Sequence, residues 1–274
     1  MEPIKHGFKA SEVIESGRVT CNQISVLRQW IAQERLPDLT DEQLILFSLS
    51  CFNNLDDTKK TINAFVTIRN GCPALFSNRM VLAKELQEQL GVVDLCVFPQ
   101  RTSDDCVVIF HQLRETNFRR YNMETAMKLL FMTLDAAIYD HPPKGLVILF
   151  DMKGVGLLHL TRVRLGLVQV FFHYLQEALP VRLKKIHVLN SVYFLEKVIG
   201  IIKPFVKKEV MEMINFYPVS MPMNEFYAHL SKEHLPEDLG GSLPTIRVLH
   251  ERNVHKLTSM QTYFDAEEKQ RKIL

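Results

Sequence analysis

The run Leu146–Phe150, LVILF, limits what this chain can fold into more than any other stretch. Five apolar residues in a row, with no polar alternation, suit a strand covered on both faces, the habit of parallel sheets flanked by helices. Its surroundings repeat the signal. VVDLCVF at 92–98 and CVVIF at 106–110 read as strands before it, and 185–190 reads as one after it, with Ile186 and Val188 on one face. Helical patterns lie between them. Asn122 stands as an N-cap ahead of a helix to Tyr139 with Met123, Met127, Leu130, Leu134 and Ala137 on one stripe. A second helix is expected from Leu160 to Leu179, closed by Pro180. Alternating strands and helices imply an α/β fold with a mostly parallel sheet and right-handed crossovers. PVSMP at 218–222 can only be a short edge strand, because prolines flank it.

Ahead of the sheet the texture is helical. Ile24, Leu27 and Ile31 share a helical face that Pro37 closes, and Thr40 with Gln43 forms a capping box before LILFSLSCF. Asp56 or Asp57 can cap a third helix carrying Ile62, Phe65 and Val66 inward, with Gly71 as its stop. These make a small N-terminal helical domain over residues 1–75. Residues 76–250 form the larger domain, opening with a helix capped by Ser77 that carries Val81, Leu82, Leu86 and Leu90. Residues 251–274, with the charged DAEEKQRKIL, read as a C-terminal tail, a frayed helix.

With 47% hydrophobic and 23% charged residues the chain can bury a sizeable core, and a net charge of +2 is too small to imply nucleic acid. No apolar run approaches the roughly 18 residues that would span a bilayer. The N-terminal MEPIKHGFKASEVI lacks an apolar signal region, and the 5 cysteines are odd in number, scattered and without a CxxC, so a cytoplasmic protein with reduced thiols is expected.

Catalytic arrangements are scarce. There is no G-x-S-x-G elbow and no G-x-x-x-x-G-K-[ST] phosphate loop. Gly154-Val155-Gly156 lacks the third glycine of a dinucleotide turn. Asp151 and His159 flank a strand's C-terminal end, where α/β enzymes keep catalytic groups, but without a nucleophile a turn-capping Asp and a structural His fit better. The pairs His229/His234 and His250/His255 are five apart and do not share a helical face. Phe118 and Tyr121 beside Arg119 and Arg120 are too thin for a nucleic-acid stacking platform. Neither enzymatic activity, cofactor, metal nor nucleic-acid partner is therefore expected.

The stretch Ile201–Ile214, IIKPFVKKEVMEMI, carries the most telling pattern. Pro204 suits the first position of a helix. Val206, Val210, Met213 and Ile214 then form one stripe, while Phe205 and Met211 fall outside it among Lys207 and Lys208. Such a helix can touch a membrane on one side and an apolar interior on the other. Arg182, Lys184 and Lys185 add basic charge ahead of a strand, either as a solvated surface or as a patch for anionic headgroups.

Four segments in order give the chain a resemblance to the CRAL-TRIO lipid-transfer family, in particular its tocopherol- and retinoid-carrying members. They are GLVILFDMKGVGLLHL (145–160), PVRLKKIHVLNSVYF (180–194), IIKPFVKKEVMEMI (201–214) and LPEDLGG (235–241), and with the N-terminal helices the likeness spans about residues 20–250. The resemblance implies a sheet that floors an apolar cavity, helices that wall it, and a gate helix at 201–214 that opens at membranes. The ligand would be one small hydrophobic lipid of the retinoid, carotenoid or tocopherol type. Faces and family together nominate Met127, Leu130, Phe131, Leu134, Leu146, Ile148, Phe150, Ile186, Val188, Val206, Val210 and Ile214 as ligand-binding residues. Phe205, Met211, Arg182, Lys184, Lys207 and Lys208 are nominated as contacts to a transient membrane surface, anionic or phosphoinositide-containing, for a protein acting as a monomer. Two departures stand out. LILFSLSCF lacks the arginine that tocopherol-transfer relatives carry there, and Glu209 and Met213 occupy positions that the family fills with basic residues. Alternatives on the same fold are a regulatory or adaptor domain, or phosphoinositide-linked phospholipid exchange.

Overall fold

The computed structural model describes residues 4–272. Helices α1 (Ala10–Glu15), α2 (Cys21–Gln33), α3 (Asp41–Ser50), α4 (Leu55–Gly71), α5 (Pro73–Phe76) and α6 (Lys84–Leu90) come first. Local chemistry sets several of their starts. Thr20/Gln23 and Thr40/Gln43 both form complete capping boxes, satisfying donors that a bare helix start leaves orphaned. The α4 cap is Asn54, whose side chain accepts from the Asp57 N–H at 3.1 Å, so the cap lies before the expected Asp56 or Asp57. The helix expected from Ser77 begins only at Lys84. Asn78 has a left-handed φ of 53°, which breaks any helix through it, and Leu82 stands exposed in the turn that follows.

Strands β1 (Val93–Val97) and β2 (Cys106–Leu113) precede α7 (Met123–Ala137), whose N-cap Asn122 accepts from the N–H groups of Glu124 and Thr125. Then follow β3 (Gly145–Asp151), α8 (Leu165–His173), β4 (Leu183–Ser191), α9 (Leu195–Ile202), α10 (Lys208–Met211) and β5 (Ile214–Pro218). The chain closes with α11 (Met223–Phe226), α12 (Ile246–Ser259) and α13 (Gln261–Lys272). The sheet order is β1-β2-β3-β4-β5, antiparallel only between β1 and β2. Each parallel strand is laid beside its predecessor, so right-handed crossovers put α7, α8 and α9 on one face.

Both faces of LVILF are buried, as its unbroken apolar character demands. Leu146 and Ile148 join the core under α7 and α8, while Val147 and Leu149 join a second core. That second layer is built from Phe226, Leu230, Leu235, Leu239, Leu243, Ile246 and Leu249. Helix α12 also closes the free edge of β1. The Leu95 N–H donates to His250 Nδ1 at 3.1 Å, and Asn253 Nδ2 donates to the Leu95 carbonyl at 2.9 Å, which removes an open strand edge.

Three expected elements differ. The helix drawn from Leu160 to Leu179 is a 3₁₀ segment at Leu157–Arg162, then α8, then a wide π turn at Tyr174–Ala178. Ile201–Ile214 is not one helix. It comprises the end of α9, a 3₁₀ turn at Lys203–Phe205, the single-turn α10, and the first residue of β5. Val206 is extended, so Val206, Val210, Met213 and Ile214 share no helical stripe. The edge strand is Ile214–Pro218 rather than 218–222. Ile214 and Phe216 pair with Ile186 and Val188, and that pairing draws the strand upstream so that it ends at Pro218.

Candidate functional site

A cavity of about 300 Å³ lies at the C-terminal ends of the parallel strands, on the α7–α9 face. Its floor follows from register. His111, Phe150, Val188 and Phe216 are successive partners across β2, β3, β4 and β5, and one row earlier Ile186 and Ile214 join them. Met123 and Met127 of α7, Val168, Phe171 and Phe172 of α8, and Val198 and Ile202 of α9 form the walls. Flexible Met side chains beside aromatic ones give an adaptable apolar lining. The segment 155–163 closes one end with Val155, His159, Leu160 and Val163.

Of the residues nominated from sequence, Met127, Phe150, Ile186, Val188 and Ile214 come together on this cavity. Leu130, Phe131, Leu134, Leu146 and Ile148 share its sheet face but lie in the packed core rather than on the cavity. The N-terminal helices fill that end. Phe131, for example, packs on Phe76 with ring centroids 4.8 Å apart and on Tyr174 at 5.0 Å. Val206 borders the main core, half-buried, and Val210 lines a different cavity. Sequence reasoning missed Val168, Phe171, Phe172, Val198, Ile202, Phe216 and the polar lining group His111. The signal for His111 was present, since Val107, Ile109 and His111 alternate onto one face of β2.

Asp151 and His159 both reach this cavity and are tied into turns. Asp151 Oδ1 accepts from the Lys153 N–H at 2.8 Å and from Asn190 Nδ2 at 2.7 Å, pinning the loop after β3 to the end of β4. His159 Nδ1 accepts from the Gly156 N–H at 3.0 Å. Burial shifts two other lining groups toward their neutral forms. The His111 imidazole is pushed down to about 4, and the Tyr121 phenol up to about 12. No nucleophile and base are paired across the described part of the cavity.

The nominated basic residues gather elsewhere. Arg182 and Lys184 line a second cavity of about 430 Å³ with Phe52, Val210 and Met213. There the Arg182 guanidinium stacks over the exposed Phe52 ring at 4.0 Å. Lys207 pairs with Glu177, and Lys208 stands exposed 3.9 Å from Glu212. Met211 is half-buried. Phe205 is half-buried against the main core, and its carbonyl accepts from Gln176 Nε2 at 3.1 Å, so it has a packing partner that the sequence did not suggest.

Comparison with known proteins adds three findings. The family profile of the CRAL/TRIO domain matches residues 93–241, and that of the Pinta-like UBA domain matches residues 18–86. Among curated proteins, alpha-tocopherol transfer protein-like of Homo sapiens is 24% identical over 237 residues, covering 84% of this chain and 68% of that protein. Clavesin-2 of Rattus norvegicus is 23% identical over 127 residues, covering 46% of this chain and 38% of that protein. Among solved structures, that of Sfh5 superposes with a TM-score of 0.52 at 15% identity, covering 94% of this chain and 85% of that one. That last likeness concerns the fold alone.

Proposed function

The chain belongs to the CRAL/TRIO domain family, whose profile covers residues 93–241, and from that premise we propose that it binds and transfers one small hydrophobic lipid of the retinoid, carotenoid or tocopherol type. The observation that carries the reading is the apolar cavity of about 300 Å³ over the His111–Phe150–Val188–Phe216 row. An apolar ligand gains about 0.8 kcal/mol per buried CH₂, so twenty carbons exceed the practical ceiling on affinity before ordering costs are subtracted. Release therefore needs a competing apolar phase, which a membrane supplies.

Helix α9 is the proposed door. Helix α9 contributes Val198 and Ile202 to the cavity wall, yet none of its residues is fully buried. An element with so little buried surface opens at low cost. The α9–α10 segment is thus the gate, and Lys207, Lys208, Arg182 and Lys184 face the anionic headgroups that it meets. The activity is carriage rather than turnover, because Asp151 and His159 serve as turn anchors.

Native mass spectrometry of the protein from its source, followed by organic extraction, tests this directly. One apolar molecule per chain is the expected result. A chain purified without lipid, and unable to take retinol or tocopherol from vesicles, would remove the carrier reading.

A further inference from the structure

We infer that Gln176 is the latch that holds the α9–α10 segment closed over the cavity, and that its release sets the rate at which lipid leaves. The inference rests on the gate proposed above and adds the group that restrains it.

The segment is tied down by very little. Among the described residues, the stretch 192–212 makes backbone–backbone hydrogen bonds only within itself, as from the Val206 N–H to the Lys203 carbonyl and from the Met211 N–H to the Lys207 carbonyl. Three hydrogen bonds join it to the rest of the described molecule, and all three end on two neighbouring side chains. Gln176 Nε2 donates to the Phe205 carbonyl at 3.1 Å, and Gln176 Oε1 accepts from the Lys207 N–H at 2.5 Å. Glu177 accepts from Lys207 Nζ. Val206 is extended, which turns the Phe205 carbonyl and the Lys207 N–H to the same side, so one amide spans both. The orientation of that amide is fixed by its partners, since a carbonyl only accepts and an N–H only donates. An ionised carboxylate of the same length could make one of the two bonds but not both.

The latch stands on rigid ground. Gln176 belongs to the π turn Tyr174–Ala178, a rare distortion found mostly at functional positions. Tyr174, Leu175 and Ala178 are buried, and the Tyr174 hydroxyl accepts from Arg69 Nη2 at 2.7 Å. The gate side has no such anchor, since no residue of α9 is fully buried. The pair of Lys207 with Glu177 is exposed and screened by salt, so it contributes little. The two bonds of Gln176 therefore supply the directional hold that distinguishes the closed arrangement from an open one.

Two substitutions break the latch from opposite sides. Gln176→Met keeps the length of the side chain and removes both bonds. Lys207→Pro removes the N–H, and the backbone tolerates it, because Lys207 has a φ of −64° and follows an extended residue. Lys207→Ala loses the same charge but keeps the N–H, so the difference between these two isolates the backbone bond. Amide hydrogen exchange over residues 195–211 of the full chain at pH 7 should quicken about tenfold in Gln176→Met, the worth of one to two net hydrogen bonds. It should be at least threefold faster in Lys207→Pro than in Lys207→Ala, with exchange of α4 and β3 unaltered throughout. Chains loaded with retinol, or with tocopherol if retinol is not taken up, should release it to neutral phosphatidylcholine vesicles faster by the same factors. Equilibrium uptake should stay within twofold, because the closed form still dominates, whereas a damaged cavity would lower it. If Gln176→Met does not fold, the proline and alanine pair supplies the test. Unaltered exchange over 195–211 in Gln176→Met and in Lys207→Pro overturns the inference and leaves the carrier reading standing, and so does faster exchange without faster release. Uptake of neither probe by the unaltered chain overturns the carrier reading and the inference with it.

Discussion

Two buried regions of this molecule are built on opposite principles. At the junction of α4, α7 and α13, Arg69, Arg79 and Arg271 enclose Asp135 and Glu267, all of them at most 2% exposed. Arg69 Nη2 donates to Asp135 Oδ1 at 2.6 Å and to the Tyr174 hydroxyl at 2.7 Å, and Arg79 bridges Asp135 to Glu267. Arg271 holds Glu267 on one side and the Phe76 carbonyl, at 2.7 Å, on the other. Here charge is buried and almost every polar atom is used. Under α8 and α9, by contrast, apolar walls surround unfilled space, and one wall has no fully buried residue. The difference bears on which part the proposed gating would move. A satisfied ionic junction resists opening, because separating its members strands buried charges, whereas an underpacked apolar wall opens with little loss.

The strongest way to break this contrast is at the junction. Asp135→Ala leaves Arg69 and Arg79 short of a counter-charge and should cost about 3–5 kcal/mol in urea unfolding, more than any single substitution in the cavity wall. A loss below about 1 kcal/mol would show that the junction is not what clamps the helical unit to the sheet.

Acid should dismantle the two regions in sequence. His111 on the cavity floor and His250 at the β1 edge are both held down to about 4 by burial. A lowered histidine contributes stability that is complete above its unfolded value near 6.5 and is lost as pH falls toward 4. At the junction, burial pushes Glu267 upward, but Arg79, Arg69 and Arg271 outweigh it and hold the carboxyl at about 2. Its contribution is complete above about 4.5 and is lost only as pH falls toward 2. Urea midpoints measured from pH 8 to pH 3 should therefore decline first through the histidine window, and His111→Gln should flatten that first decline. A midpoint unchanged down to pH 4.5 would contradict the histidine assignment.

Filling the void sharpens the contrast from the other side. Val188→Phe places bulk over the floor row and should lower lipid uptake at least tenfold. It should change stability by no more than about 1–3 kcal/mol, since added carbon enters space rather than packed core. Unaltered uptake would put the ligand elsewhere.

The smallest effect belongs to the surface. Lys207→Ala with Lys208→Ala should leave stability within about 0.5 kcal/mol. Delivery to anionic vesicles should slow by about 1 kcal/mol per lysine, with delivery to neutral vesicles unchanged. Equal rates on both vesicle types would detach this segment from the membrane step.

Much of the fold was legible because its causes are local. An unbroken LVILF specifies a strand buried on both faces, Asn122 caps the helix that follows it in periodicity, and Thr40 with Gln43 needs only its own turn. The sheet face on which Phe150, Ile186 and Val188 stand follows from a period of two, and so it too was visible. What tertiary structure alone decided depends on residues far apart in the chain. The floor of the void is set by register among four strands, which is why Leu146 and Ile148, on the same face, end in solid core while Phe216 and His111 do not. The pairing of β5 with β4 turned the last residue of an expected helix, Ile214, into a strand, because backbone hydrogen bonds to a neighbour outweigh a stripe of apolar residues. Glu267 and Arg271, which sequence placed in a frayed tail, are among the most buried charges of the described chain. Their partners Arg69, Arg79 and Asp135 lie 132 or more positions away, and no local pattern encodes a counter-charge at that distance.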